Sequence, residues 1–225
     1  RTPLNAIIGF SDLIRTPGAT SQAQASEYAD HIAHAGRRLL DVVSDVLDMS
    51  KLESGSLILD KHPLRIDEVL EIALENSRKL FDAKQQPVDV RLEVGLPEIH
   101  GDGKRLRQLF ANLLSNASKF TAEKGRILVM AKALKDGSVT IADTGVGMTH
   151  EQIVVAVKPF AQVQGYLART QEGTGLGLPL AMGIVKLHGG SLYLDSQPDA
   201  GTTAVVTLPR DAASLAAPAA IGKVA

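Results

Sequence analysis

The chain has 225 residues, enough for one large domain or two small ones, and 24 basic against 25 acidic side chains give a net charge of −1. That balance offers no electrostatic case for nucleic acid or an anionic membrane as partner, and the absence of cysteine removes disulfides, zinc ribbons and thiol nucleophiles. No apolar run approaches the ~20 residues needed to cross a bilayer, no basic stretch leads into an apolar one, and the 4% aromatic content leaves an aliphatic core.

The segment from Leu4 to Arg15 reads as a helix with Leu4, Ile7, Ile8 and Ile14 apolar. Thr16 to Ser21 is breaker chemistry. Residues 22–53 then carry the clearest period: Tyr28, Ile32, Ala35, Leu39, Val42, Val46 and Met49 follow a 4-3 spacing on one helix face. Leu40, Val43 and Leu47 widen that stripe beyond a two-stranded seam. One hairpin cannot bury two such faces alone. A homodimer through residues 1–53, forming a four-helix bundle, is therefore expected; packing onto the rest of the same chain is the alternative.

Glu53-Ser54-Gly55 ends the long helix. The pattern beyond predicts a strand near 57–61, a helix 66–84, a strand 88–94 and a short strand near 99. A helix 103–120, strands 126–134 and 138–143, a helix 149–157 and a loop 158–174 follow. A helix 177–188 and strands 191–195 and 202–208 complete the series. Asp136-Gly137 and Asp199-Ala200-Gly201 read as hairpin turns, so a mixed or antiparallel sheet with helices on one face is expected. Residues 210–225 are Ala-rich and aperiodic, a flexible tail.

Three short segments carry chemistry. On the helix 103–120, Leu106, Leu109, Phe110, Leu113 and Leu114 mark a buried face, and Asn112, Asn116 and Lys119 share one stripe. Amide oxygens can ligate a hard cation such as Mg²⁺, and the lysine supplies a point charge for phosphate. A solvated helix face has the same pattern. Asp143 ends a strand and is followed at once by Gly145 and Gly147. A carboxylate there can accept from the exocyclic amine of adenine, where guanine presents a carbonyl, and the glycines allow close backbone approach. A plain Asp-Thr-Gly turn is the alternative. Gly173, Thr174, Gly175, Leu176 and Gly177 open the last helix, with Pro179 in its first turn, where free amides suit a phosphate.

The last of these competes with a dinucleotide fingerprint that would end at Asp195. The spacing is G-x-G-x-G, the preceding segment is polar loop, and too little chain follows for a doubly wound sheet. The long polar stretch from Phe160 to Glu172 reads as a lid over a nucleotide, from which Arg169 can reach phosphates or simply be solvated. His31 and His34 lack a third ligand and read as surface residues, while His188 before Gly189-Gly190 reads as a helix C-terminal residue favoured by the dipole.

With these segments in order, the chain resembles the dimerisation and catalytic core of bacterial sensor histidine kinases, over residues 1 to about 209. Arg1 to Phe10 resembles the family's H-box just after its phosphoacceptor, and Asn112 to Thr121 its N-box. Asp143 to Met148 resembles the first glycine box, Pro159-Phe160 the F-box and Gly173 to Leu178 the second glycine box. The run from Pro159 to Leu180 looks most like alphaproteobacterial cell-cycle kinases.

The resemblance implies an α+β chain. Residues 1–54 would form the helical dimerisation and phosphotransfer hairpin, and 55–209 a Bergerat (GHKL-type) α/β sandwich that binds ATP with Mg²⁺. The γ-phosphate would pass to a histidine and then to an aspartate of a response regulator. Asn116 would ligate Mg²⁺ with Asn112 in support, Lys119 contact phosphate and Asp143 read adenine. Phe120, Gly145, Gly147 and the Gly173–Gly177 backbone would line the nucleotide. Thr2 matches the polar residue of the family's regulator-phosphatase motif, although Thr2-Pro3 also fits a helix N-cap. The acceptor histidine and its adjacent acid would lie upstream of Arg1, and Lys158 stands where relatives often have an acid. A cytoplasmic location is implied, free or tethered through upstream regions. The competing function is a pseudokinase scaffold that docks a regulator or partner kinase without autophosphorylation.

Overall fold

The structure, a computed structural model, describes residues 2–16, 21–133, 138–162 and 173–209. The chain divides into two compact units, Arg1–Ser54 and Gly55–Ala225. Arg1, the Pro17-Gly18 break, the Asp136-Gly137 turn, most of the lid with Arg169, and residues 210–225 lie outside the described residues.

The first unit is two helices, α1 (Thr2–Arg15) and α2 (Gln22–Glu53). Ser21 starts α2 with a capping box: its hydroxyl accepts from the Gln24 N–H, and the Gln24 side chain accepts from the Ser21 N–H. Thr2 is already inside α1 and exposed, so it is not the N-cap. Within this chain α1 covers little of the wide stripe. Of the α2 seam only Ala35 is buried, while Leu40 and Leu47 remain 65% and 56% exposed. His31 stacks on Phe10, with ring centroids 4.6 Å apart, so it packs on the hairpin rather than pairing with His34 for a metal.

The second unit begins with β1 (His62–Arg65), then α3 (Ile66–Ala83), β2 (Val88–Leu92), β3 (Glu98–Gly101) and α4 (Gly103–Phe120). It continues with β4 (Ile127–Lys132), β5 (Ser138–Asp143), α5 (His150–Ala156), α6 (Gly177–Leu187), β6 (Ser191–Gln197) and β7 (Gly201–Thr207). The main sheet has the order β2-β4-β5-β7-β6; β2 runs parallel to β4 and every other neighbour is antiparallel.

Alternation on the strands sets the core. Ile127, Val129, Ala131, Val139, Ile141, Ala204 and Val206 point to one face. They join Leu70 of α3, Leu106, Phe110 and Leu114 of α4, and Ile184 of α6 in one cluster, a helical layer on a sheet.

The expected strand at 57–61 is not there. Leu57 is buried but Ile58 is almost fully exposed, and the strand forms instead at His62–Arg65, where antiparallel pairing with β3 supplies its hydrogen bonds. The final hairpin is longer than its apolar alternation suggested. Asp195 sits on edge strand β6 opposite Thr203, away from any dinucleotide role.

His188 caps the C-terminus of α6, as its place before Gly189-Gly190 predicts. It is buried, and its Nδ1–H donates to the Ile184 carbonyl at 2.8 Å while Nε2 accepts from the Asp102 N–H at 3.0 Å. Burial pushes its pKa down, so the ring is a neutral cross-link rather than a cation at a helix end. Among the described residues no helix is long and apolar enough to cross a membrane.

Candidate functional site

The chemistry-bearing residues converge where α4, the end of β5 and the start of α6 meet. Helix α4 starts on Asp102, whose Oδ1 accepts from the Arg105 N–H. Its buried stripe leaves Asn112, Asn116 and Lys119 half-buried on the flank. Asn112 Nδ2 donates to the carbonyl of Gly177, the first residue of α6, at 3.2 Å. Asn116, one turn on, makes no side-chain hydrogen bond to the described residues, and neither does the Asn112 oxygen. Two amide oxygens on one helix flank fit a hard, oxygen-seeking cation.

Lys119 lies against the second glycine segment. A Cβ on Gly173 would sit 2.6 Å from its Nζ, and the ammonium also stands 4.9 Å from the centroid of the Phe120 ring. The Phe120 carbonyl accepts from the Val146 N–H at 3.2 Å, and a Cβ on Gly145 would come within 2.6 Å of that same oxygen. The end of α4 is thus stitched to the first glycine segment on one side and touches the second on the other.

Asp143 closes β5, and its Oδ1 accepts from the Gly145 N–H at 2.9 Å. Burial raises its pKa; the hydrogen bonds from Gly145, the Thr202 backbone and the Thr121 side chain pull it back down. The Thr121 hydroxyl itself is buried without a partner at full hydrogen-bond geometry, although it stands close enough to the carboxylate to lower its pKa. A buried hydroxyl short of a partner beside a largely desolvated carboxylate suits an amine-bearing ring edge.

Gly147 and Gly175 are positions that demand glycine. Gly147 has φ +63°, and a Cβ there would run into the Gln197 carbonyl. Gly175 has φ +71°, and a Cβ there would stand 2.7 Å from the Ala161 carbonyl, while its own carbonyl accepts from the Phe160 N–H. The Thr174 hydroxyl accepts from the Leu176 N–H, and fully buried Leu176 anchors the turn.

The structure therefore brings together Asn112, Asn116, Lys119, Phe120, Gly173, Gly175 and Gly177, and joins Asp143, Gly145 and Gly147 to them through Phe120. Thr2 belongs to the other unit, and Arg169 lies outside the described residues. Thr121 was missed as a site residue. Its sequence signal, a threonine directly after the helix, is the same as for any helix stop.

Comparison with known proteins bears on this geometry. Residues 1–55 match the model of the His Kinase A (phospho-acceptor) domain, and residues 101–212 that of the histidine kinase-, DNA gyrase B- and HSP90-like ATPases. The chain belongs to the sensor histidine kinases. It is 37% identical to the non-motile and phage-resistance protein of Caulobacter vibrioides over 93% of this chain and 26% of that protein. It is 40% identical to the histidine protein kinase DivJ of the same organism, over 93% of this chain and 35% of that one. The crystal structure of full-length ShkA in complex with AMPPNP superimposes with a TM-score of 0.72 at 28% identity, covering 93% of this chain and 43% of that chain. This kinase-family chain thus spans only about a quarter to two fifths of the length of these curated relatives.

Proposed function

We propose that this chain is the ATP-binding and phosphotransfer core of a kinase that phosphorylates a histidine from ATP and relays the phosphoryl group to an aspartate of a response regulator. The observation that carries the reading is the convergence of Asn112, Lys119 and Asp143, from separate stretches, on the junction of α4, β5 and α6.

In this reading the Asp143 carboxylate accepts from the adenine amine, with Thr121 steadying it. The Lys119 ammonium faces the phosphates across the Gly173 backbone. Asn116 and Asn112 would hold Mg²⁺, which when bound neutralises charge on the phosphate oxygens. Phosphoryl transfer needs positioning and charge neutralisation more than covalent help from the protein. The Phe120–Val146 and Asn112–Gly177 links supply the positioning, because they fix the base-reading and phosphate-facing segments to one helix.

The acceptor histidine is taken to precede Arg1, as the family resemblance places it. The unburied α2 stripe supports a homodimer through residues 1–53, with Thr2 on the hairpin surface in reach of a docked regulator. The cell-division control histidine kinase PdhS of Brucella anthropi, 34% identical over 93% of this chain, makes cell-division control the first process to examine. A pseudokinase scaffold without autophosphorylation has no structural observation in its favour among the described residues.

Titration with ATP and Mg²⁺ of the wild type and of Asp143→Ala tests the reading. Loss of a hydrogen bond to a charged group lowers affinity by roughly 10- to 150-fold. Equal affinities would contradict the adenine contact. Light scattering tests the dimer, and a monomer mass at micromolar concentration would count against the bundle.

A further inference from the structure

We propose that Lys84 and Gln86, in the loop between α3 and β2, are positioning residues that set the last turn of α4 and thereby aim the Lys119 ammonium at the phosphate end of the nucleotide. The inference rests on the ATP reading above and adds residues that the family motifs do not contain.

A helix end leaves its last carbonyls without intrahelical donors. Many helices solve this with a left-handed glycine just beyond the end. Here Thr121 is extended instead, at φ −94° and ψ 136°, so the chain leaves the helix abruptly and the carbonyls need outside donors. Lys84 and Gln86 provide them. The Lys84 ammonium donates to the carbonyls of Ser118, Lys119 and Thr121 at 2.8, 2.9 and 3.1 Å, one for each of its hydrogens. The Gln86 amide donates to Ser118, Thr121 and Ala122 at 3.0, 2.9 and 3.1 Å. Its oxygen accepts from the Ser118 hydroxyl at 2.8 Å.

The clamp is itself held. The Gln86 N–H donates to the Phe81 carbonyl, the Lys124 N–H to Lys84, and the Ile127 N–H to Pro87, which ties the loop to α3 and to the entry of β4. Gln86 is 5% exposed, and a cation at the negative end of a helix is electrostatically favoured. Burial nevertheless lowers the Lys84 pKa, while the three carbonyls supply acceptors for the part-buried ammonium.

What the clamp fixes is the turn that faces the glycine segments. Lys119 lends its carbonyl to Lys84 and its ammonium to the contact with Gly173. Phe120, next in line, accepts from Val146 of the first glycine segment. Without the clamp the last turn can fray, and the ammonium loses its fixed direction before the rest of the unit unfolds.

The test is a double-mutant cycle on the folded chain, titrated with a non-hydrolysable ATP analogue and Mg²⁺, with thermal melts as the folding control. Lys84→Met keeps the aliphatic stem and removes the donors. It should weaken binding roughly 5- to 20-fold, and the double variant with Lys119→Met should bind within about twofold of Lys119→Met alone, because both act through one group. Wild-type affinity in Lys84→Met, or losses that multiply in the double variant, would overturn the inference while the nucleotide reading stands. A wild type that does not bind the analogue would overturn both. If Lys84→Met fails to fold, Gln86→Met, which removes the second set of donors to the same carbonyls, takes its place and is judged by the same outcomes.

Discussion

Asn112 of α4 reaches across to the first residue of α6 and donates its side-chain amide to the Gly177 carbonyl at 3.2 Å. That bond joins the flank expected to face the metal and phosphates to the glycine-rich start of the last helix. A Cβ on Gly177 would lie 3.6 Å from Asn112 Cγ, an ordinary contact, and Gly177 is not in the left-handed region. Gly177→Ala should therefore keep or slightly raise the melting temperature, whereas Gly175→Ala, with φ +71° and the Ala161 carbonyl in its way, should cost about 1–3 kcal/mol. Asn112→Ala should cost about 0.5–1.5 kcal/mol and weaken binding of the ATP analogue. Parallel melts of the three variants check the order, and a Gly177→Ala as damaged as Gly175→Ala would refute it.

Asp143 should show a trade between stability and binding. Burial raises its pKa, so in the empty chain the folded state resists ionisation. Its stability cost is absent below the ordinary carboxylate pKa and sets in as pH rises through the raised value. Asp143→Asn keeps an acceptor for Gly145 and removes the charge. It should melt higher than the wild type at pH 7.5 without nucleotide. Adding ATP and Mg²⁺ should raise the wild-type melting temperature and leave the variant's nearly unchanged, reversing the order.

His188 predicts the opposite pH trend for the second unit. Its pKa is depressed, by burial first and by the nearby Lys61 ammonium, while the Ile184 carbonyl and Asp102 act to raise it. The unfolded chain binds the proton near the ordinary histidine value of 6.5 and the folded chain only below it. Stability is therefore complete above that value and is lost as pH falls toward the folded pKa. His188→Gln, which cannot take up the proton, should show a flatter melting temperature between pH 7 and pH 5, measured by thermal denaturation.

Periodicity made most of this legible. The helices at 66–84 and 103–120 and the strands of the main sheet follow from apolar spacing, because those faces are buried and a slip would expose them. The exceptions have a common cause. Leu57-Ile58-Leu59 looks like a strand, yet β1 forms where β3 supplies partners, and edge pairing is decided by tertiary neighbours. His188 looks like a helix-end cation, yet its tautomer is set by the Asp102 N–H, 86 residues away. Asn112, Asp143 and the glycines were readable as types in a pattern. Lys84, Gln86 and Thr121 were not, because their partners are backbone groups or a carboxylate that no local pattern announces.

The helical unit carries a charge that works against its own folding. Asp45 on α2 is half-buried, and its pKa is raised to about 6 by burial first and then by Asp41 and Asp48, one turn to either side. Below the unfolded value of 3.8 both states hold the proton and there is no penalty. Between 3.8 and about 6 the unfolded chain releases the proton while the folded hairpin keeps it, so stability falls as pH rises and stays lower above that window. Solvent screening of a half-buried group reduces the full linkage value, leaving about 1 kcal/mol at neutral pH. Asp45→Asn should therefore raise the stability of the helical unit by about that amount at pH 7.5 and match the wild type at pH 3.5. Helix-specific denaturation curves at the two pH values decide it: an equal gain at both would show that packing of the amide, rather than relief of charge, is responsible.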